Sequence, residues 1–264
     1  MKISIIGFGN MAKSFALGLL RDSNNQLQVA SPSLPIGINE QGIHTHHDNR
    51  SIILNADVII LAVKPFHMEA VLNEISPLLL PHQLVISIAA GLTFEWFSKR
   101  LPSKTPLIRS IPNLASAYGQ SATPLIANPE VTDTQRELAE RLFLATGIIA
   151  WAKHEHELDA FTALSGSGPA YFFLFMNSMV TAGVQLGLSE EIATAFAIQT
   201  AQGAVNLANT SDQSLLDLQK TVTSKGGTTA AAIQVFHEKD LNDIVCAAMK
   251  AACERSRALA KEFD

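Results

Sequence analysis

Gly7 and Gly9 stand two apart in Gly7-Phe8-Gly9-Asn10-Met11-Ala12, directly after the apolar run containing Ile3, Ile5 and Ile6. A strand that ends in such a turn and runs into a helix holds a dinucleotide pyrophosphate. The first glycine permits the tight turn, the second lets backbone approach the phosphates, and Ala12 allows close helix–strand packing. The helix N-terminus supplies N–H groups and the positive end of its dipole. Three further segments could carry chemistry. Ala30-Ser31-Pro32-Ser33 follows a second apolar run and carries hydroxyls where an NAD site would place Asp or Glu, which favours NADP. Ala62-Val63-Lys64-Pro65 ends a third run, and ligands of open α/β sheets lie beyond the carboxyl ends of strands, so Lys64 is placed near the cofactor. Ser224-Lys225-Gly226-Gly227-Thr228-Thr229 leads into a helix and combines glycines, hydroxyls and free N–H groups, a set suited to a carboxylate.

Ser165-Gly166-Ser167-Gly168-Pro169 also precedes a helix, where small residues admit a flat ring or a neighbouring backbone. Hydroxyacid dehydrogenases place a lysine about one turn into such a segment. Here Phe172 and Phe173 occupy that region. Carbonyl reduction needs a proton for a poorly basic oxygen. An imine nitrogen is basic enough to arrive protonated, so the missing lysine points to a carbon–nitrogen double bond. The histidines carry less. His44, His46, His47 and Asp48 read as a polar surface connection, and His154-Glu155-His156-Glu157 lacks the second histidine of a zinc-protease HExxH, so no metal is expected.

The elements that position these residues change character along the chain. Over residues 1–152, strand-like runs at Leu27 to Ala30, Asp57 to Val63, Leu84 to Ala89 and Pro106 to Ile111 follow the first, and Ser121 to Ala127 and Ile148 to Trp151 could extend the sheet. Helical patterns lie between them, at roughly Asn10 to Leu20, Asn49–Ala56, Phe66–Leu80, Thr93–Leu101 and Thr132–Ala145. The alternation predicts an α/β fold with a doubly wound parallel sheet. Over residues 153–264 strand signals vanish, and helices are expected at Pro169–Leu186, Ser189–Asn209, Ser214–Thr221, Thr228–Lys239 and Leu241–Phe263. Ala193–Ala208 carries few charges, and a helix apolar on most sides must be covered. A homodimer through this all-α half is therefore expected.

Length and composition bound the rest. The chain has 264 residues, is 47% hydrophobic and carries a formal net charge of −5. That suffices for two domains and leaves no basic stripe for nucleic acid or an anionic membrane. Cys246 and Cys253 stand seven apart on a helical pattern. That spacing separates them by roughly 10 Å, too far for a disulfide, and fits a reduced, cytoplasmic setting. No secretory leader pattern is read at the N-terminus. Ala170 to Leu188 is the most membrane-like run, but its Asn177, Ser178, Thr181 and Gln185 favour a buried helix over a span.

Taken together, the segments IIGFGNMA, DVIILAVKP, VISIAAGL, IRSIPN, DAFTALSGSGPAY and TVTSKGGTTAAAIQ resemble those of the pyrroline-5-carboxylate reductases. The resemblance runs over essentially the whole chain. It implies a Rossmann-like N-terminal domain and a C-terminal helical dimerisation domain that interlocks with a partner, whose helices complete the pocket. Dimers in the family can assemble further into rings of five. The implied reaction is NADPH-dependent reduction of the cyclic imine Δ1-pyrroline-5-carboxylate to proline. By the same resemblance, Ile6, Gly7, Phe8, Gly9, Asn10 and Met11 hold the pyrophosphate, and Ser31 with Asn49 contacts the 2′-phosphate. Ala62, Val63, Lys64, Pro65, Ala90 and Asn113 line the adenosine–nicotinamide path, and Thr221 touches the cofactor from the helical domain. Ser224, Gly226, Gly227, Thr228 and Thr229 grip the substrate carboxylate. Thr229 is the implied catalytic hydroxyl at the ring nitrogen, and Glu155 lines the substrate.

Two positions depart from the family pattern. Lys225 stands where proline is usual, and Ile111-Pro112-Asn113-Leu114-Ala115 replaces a Met-Pro-Asn-Thr-Pro motif. Two rival readings remain: a reductase of another cyclic imine or small carbonyl acid, and a non-catalytic NADP-binding regulatory dimer.

Overall fold

In a computed structural model, residues 1–263 are described. The chain divides by packing into two compact units: residues 1–167 together with the chain from Ala251 onward, and residues 168–250.

The first unit is a layered α/β structure. Its elements run β1 (Lys2–Ile6), α1 (Asn10–Leu19), β2 (Gln26–Ala30), β3 (Gly37–Ile38), β4 (His44–His46), α2 (Asn49–Ile53), β5 (Val58–Leu61) and α3 (Pro65–Ile75). They continue with β6 (Leu84–Ser87), α4 (Phe94–Ser98), β7 (Leu107–Ser110), β8 (Ser121–Ala127), α5 (Asp133–Leu144), β9 (Gly147–Trp151) and α6 (Glu157–Phe161). A π turn follows at Thr162–Gly166. Among the described residues the strands form one sheet in the order β3-β4-β2-β1-β5-β6-β7-β8-β9.

Alternation along the central strands explains the two layers. Ile3, Ile5, Val58, Ile60, Leu84 and Ile86 face α1 and α5, in a core closed by Phe15 and Phe143, whose ring centroids lie 4.9 Å apart. Ile6, Ile59, Leu61 and Val85 face α2, α3 and α4, with Trp96 and Phe97. A strand covered on both faces reads as a continuous apolar run, as Val58-Ile59-Ile60-Leu61 does. Polar caps fix the helix starts: Asp48 for α2, Thr93 for α4, and a Thr132–Gln135 capping box for α5.

The sheet is mixed rather than wholly parallel, because β3 runs antiparallel to β4 and β8 antiparallel to β7. Residues 44–46, expected as a surface connection, form β4 on the open edge of β2. Thr45 is buried there, and Ile43 joins the core, so the segment alternates in the manner of a strand despite its histidines. The strands at Asp57 to Val63, Leu84 to Ala89 and Pro106 to Ile111 are shorter than expected, since their last residues turn away to form the loops of the site.

The second unit contains α7 (Gly168–Gln185), α8 (Glu190–Thr210), α9 (Leu215–Thr221), α10 (Thr228–Glu238) and the start of α11 (Leu241–Phe263). Within this unit α7 pairs with α8, where a Cβ on Gly183 would meet Ala193 Cβ at 3.3 Å. The run from Ala170 is not covered by this chain alone, in keeping with the expectation that a homodimer covers the helical half. Gly168 is the one buried residue of α7, and Phe172, Phe173 and Leu174 are each about two-thirds exposed in the single chain. One short helical unit lacks the bulk to cover so much apolar surface.

The expected boundary at 152/153 falls before α6 and the π turn, which pack into the first unit through Leu158 and Ala163. The end of α11 belongs with the first unit too. Leu259 lies against Gly91, Phe263 packs on the second core, and Ser256 donates to Asp159 at 2.7 Å.

Candidate active site

The glycine turn sits where the sheet reverses direction. The chain leaves β1 towards β2 and β4 on one side, then returns to β5 on the other, so the crevice beyond β1 and β5 is the switch point at which open α/β sheets take ligands. Gly7 has φ +90°, and a Cβ there would lie 2.8 Å from both Val63 Cγ1 and Val63 N. Glycine is required by backbone and by space. Gly9 is different. It adopts an extended conformation as the N-cap of α1, and a Cβ there would meet nothing within 4 Å. Nothing in the protein demands glycine at position 9, and the room beside it fits a pyrophosphate brought close to backbone. The first turn of α1 has no side-chain cap and no acidic residue, which leaves its N–H groups to an anion. Ala12 is buried, as close packing of α1 on the sheet requires. The residues present therefore fit a dinucleotide.

Beyond β2, Ser31 is buried and its hydroxyl lies 3.0 Å from that of Ser33. The Ser31 N–H donates to His46 O at 2.9 Å, which ties this turn to the end of β4. Asn49, the first residue of α2, follows shortly after β4, so Ser31 and Asn49 occupy the carboxyl ends of adjacent parallel strands. The Asn49 side-chain amide donates to Glu74 Oε2 at 2.7 Å. Beyond β5, Ala62 N–H donates to Ile6 O at 2.8 Å, Lys64 is exposed as the N-cap of α3, and Pro65 is the first residue of that helix. Ala90 is half-buried after β6. Asn113 is buried, accepts from Ala115 N–H at 2.9 Å and donates to Ser165 O at 2.9 Å. That last bond anchors the start of the Ser165-Gly166-Ser167-Gly168 segment in the first unit. Leu114 is exposed beside it.

Glu155 has a structural employment within the first unit. Its Oε1 accepts from Phe94 N–H at 2.6 Å and from the guanidinium of Arg109. Arg109 is buried in β7, and burial pushes its guanidinium below the usual range, opposed by the charge and hydrogen bond of Glu155 and then by the charge of Asp159. Asp159 in turn accepts from Ser256 and lies 3.5 Å from Arg257 Nε. Sequence reasoning passed over this network. Its signal was a charged residue inside the strand-like run Leu107-Ile108-Arg109-Ser110-Ile111.

In the second unit, Thr221 ends α9, and its hydroxyl donates to Asp217 O at 3.0 Å. The next segment turns sharply: Gly227 N–H donates to Ser224 O at 3.1 Å, and Gly226 has φ +73°. Gly227 is the N-cap of α10 and offers no side chain to its first turn. The N–H groups of Thr228 and Thr229 thus open a helix without a side-chain acceptor, the arrangement that binds a carboxylate.

A family described as pyrroline-5-carboxylate reductase dimerisation matches residues 155–259, and one described as NADP oxidoreductase, coenzyme F420-dependent, matches residues 2–91. The pyrroline-5-carboxylate reductase of Pseudomonas aeruginosa is 40% identical over 267 residues, covering 99% of this chain and 98% of that protein. The chain belongs to the pyrroline-5-carboxylate reductase family. Among solved structures, the Plasmodium falciparum pyrroline carboxylate reductase with NADP bound has a TM-score of 0.90 at 31% identity, covering 98% of each chain. The Coxiella burnetii pyrroline-5-carboxylate reductase has a TM-score of 0.89 at 38% identity, again covering 98% of each. The pyrroline-5-carboxylate reductase segments recognised in the sequence map onto the loops described above. IIGFGNMA is the turn at the switch point, IRSIPN carries Arg109 and Asn113, and TVTSKGGTTAAAIQ is the turn opening α10.

Proposed function

We propose that this chain reduces Δ1-pyrroline-5-carboxylate to L-proline with NADPH. The observation that carries the reading is the uncapped start of α10 at Gly227, with Thr228 and Thr229 in its first turn. It is an anion site in a chain that lacks the lysine of carbonyl-acid dehydrogenases. The full-length likeness to named pyrroline-5-carboxylate reductases supports the substrate, and the neighbour solved with NADP supports the cofactor.

The residues from Ile6 to Met11 hold the pyrophosphate, and Ser31 with Asn49 takes the 2′-phosphate. Ala62 to Pro65, Ala90, Asn113 and Thr221 line the remaining path. Bound NADPH supplies the hydride. The Gly226 to Thr229 backbone fixes the substrate carboxylate, and the Thr229 hydroxyl hydrogen-bonds or protonates the ring nitrogen. An imine nitrogen is basic enough to need no strong acid from the protein, so catalysis rests on positioning in a site from which water is excluded. The working form is a homodimer through the helical unit, which supplies cover for Phe172, Phe173 and Leu174, and such dimers can assemble five to a ring. No helix among the described residues is long and apolar enough to cross a membrane, and we place the enzyme in the cytoplasm.

The test is turnover. Purified protein, NADPH and a panel of cyclic imino acids and small keto acids are followed by NADPH absorbance, with the product identified chromatographically. Proline from pyrroline-5-carboxylate at the highest kcat/KM supports the reading. Faster reduction of another imine or of a keto acid, or no turnover, contradicts it.

A further inference from the structure

The turn that carries Ser31 and Ser33 is held from below by the strand next to it. Leu34 N–H donates to Ser31 O at 3.3 Å and closes the turn. Nε2 of His47 lies 2.5 Å from Leu34 O, with the ring nitrogen as donor. Thr45 Oγ donates to Pro35 O at 2.5 Å and lies 3.1 Å from Gly37 O. The Ser31 N–H bond to His46 O completes the tie. Residues 45, 46 and 47 therefore hold the backbone from 31 to 37, at the position where a 2′-phosphate is expected.

The charge pattern gives this a purpose. From Asp22 to Asn49 the chain contains no Lys or Arg. Arg50, the next cation, is turned onto its neighbour, with Nε 3.1 Å from Asp48 Oδ1. The phosphate must be recognised largely by hydroxyls and amides, and such groups discriminate only if they are held in place. Two serine hydroxyls 3.0 Å apart on a free turn would lose that geometry to chain entropy.

We propose that His47 is a positioning residue for cofactor choice: by its hydrogen bond to Leu34 O it sets the Ser31–Ser33 turn in the form that accepts a 2′-phosphate. It acts through the turn and not on the reacting atoms. The inference rests on the NADP reading above. His47 is exposed, so its removal leaves the core intact.

Calorimetric titration of the full-length protein with NADP+, NAD+, 2′,5′-ADP and 5′-AMP tests it without turnover. Wild type should bind 2′,5′-ADP more tightly than 5′-AMP. His47→Ala should weaken NADP+ and 2′,5′-ADP about tenfold, a loss of about 1.4 kcal/mol, and leave NAD+ and 5′-AMP within about twofold. His47→Gln, which keeps a donor for Leu34 O, should recover most of the loss. A wild type that does not distinguish the two adenosine phosphates overturns the NADP reading and this inference together. Discrimination that survives in His47→Ala overturns the inference alone. Equal weakening of all four ligands, or a His47→Gln protein as weak as His47→Ala, also overturns it.

Discussion

A Cβ placed on Gly7 would lie 2.8 Å from Val63 N, so the turn after β1 and the loop after β5 touch with no room for a side chain. This contact sets the switch-point crevice and makes the first glycine structural. Gly7→Ala should destabilise the protein by about 1–3 kcal/mol from backbone strain alone, with the clash added to it. Urea denaturation of the unliganded protein checks this, and a wild-type midpoint would show that the contact can relax.

Gly9 should behave in the opposite way. Its Cβ would meet only open space, and its φ of −73° suits any residue. Gly9→Ala should keep the midpoint of the wild type while NADP+ affinity falls at least about tenfold. The pair of variants separates a glycine needed by the fold from one needed by the ligand.

Glu155 offers a third test. Removing it leaves Arg109 buried without its ion-pair partner, at about 3 kcal/mol, the lower end of such losses because the carboxylate is partly solvated. Glu155→Ala should therefore unfold at markedly lower denaturant. Arg109→Met combined with Glu155→Leu should regain most of the loss, since an apolar pair strands no charge. If Glu155→Ala keeps its stability and shows only a raised KM, the residue serves substrate alone.

Much of this was legible in the sequence because the cues were local. The glycine turn and the apolar strand runs each act within a few residues. β4 was missed because His44 and His46 hide an alternation whose inward residues, Ile43 and Thr45, show only against the edge of β2. The return of α11 to the first unit was invisible for a related reason: the Ser256–Asp159 bond joins residues 97 apart in sequence. The Arg109–Glu155 pair was hidden likewise. The glycine–threonine turn opening α10 was legible as a helix start, while the extent of exposed surface on α7 was not, since an apolar pattern does not tell which chain covers it.

Thr229 lies in the first turn of α10, and its hydroxyl makes no hydrogen bond among the described residues. Thr229→Ala should leave the fold unchanged and lower kcat about tenfold or more, roughly 1.4 kcal/mol of barrier. Steady-state kinetics decide it, and wild-type turnover would remove Thr229 from the mechanism.

Lys225 adds a charge and chain freedom next to Gly226. Lys225→Pro should stiffen the turn and shift the KM for the imino acid with little change in kcat. An unchanged KM would show that the departure from the family pattern is silent.

Hydrogen exchange read at single-amide resolution tests the division of labour most directly. With NADP+ added, the amides of residues 8–12 and of Ser31 and Ser33 should slow. With proline added to that complex, those of residues 226–230 should slow as well, and the Thr229→Ala protein should keep the first effect. Protection by NADP+ confined to other segments, or proline binding that leaves 226–230 unchanged, would contradict the account.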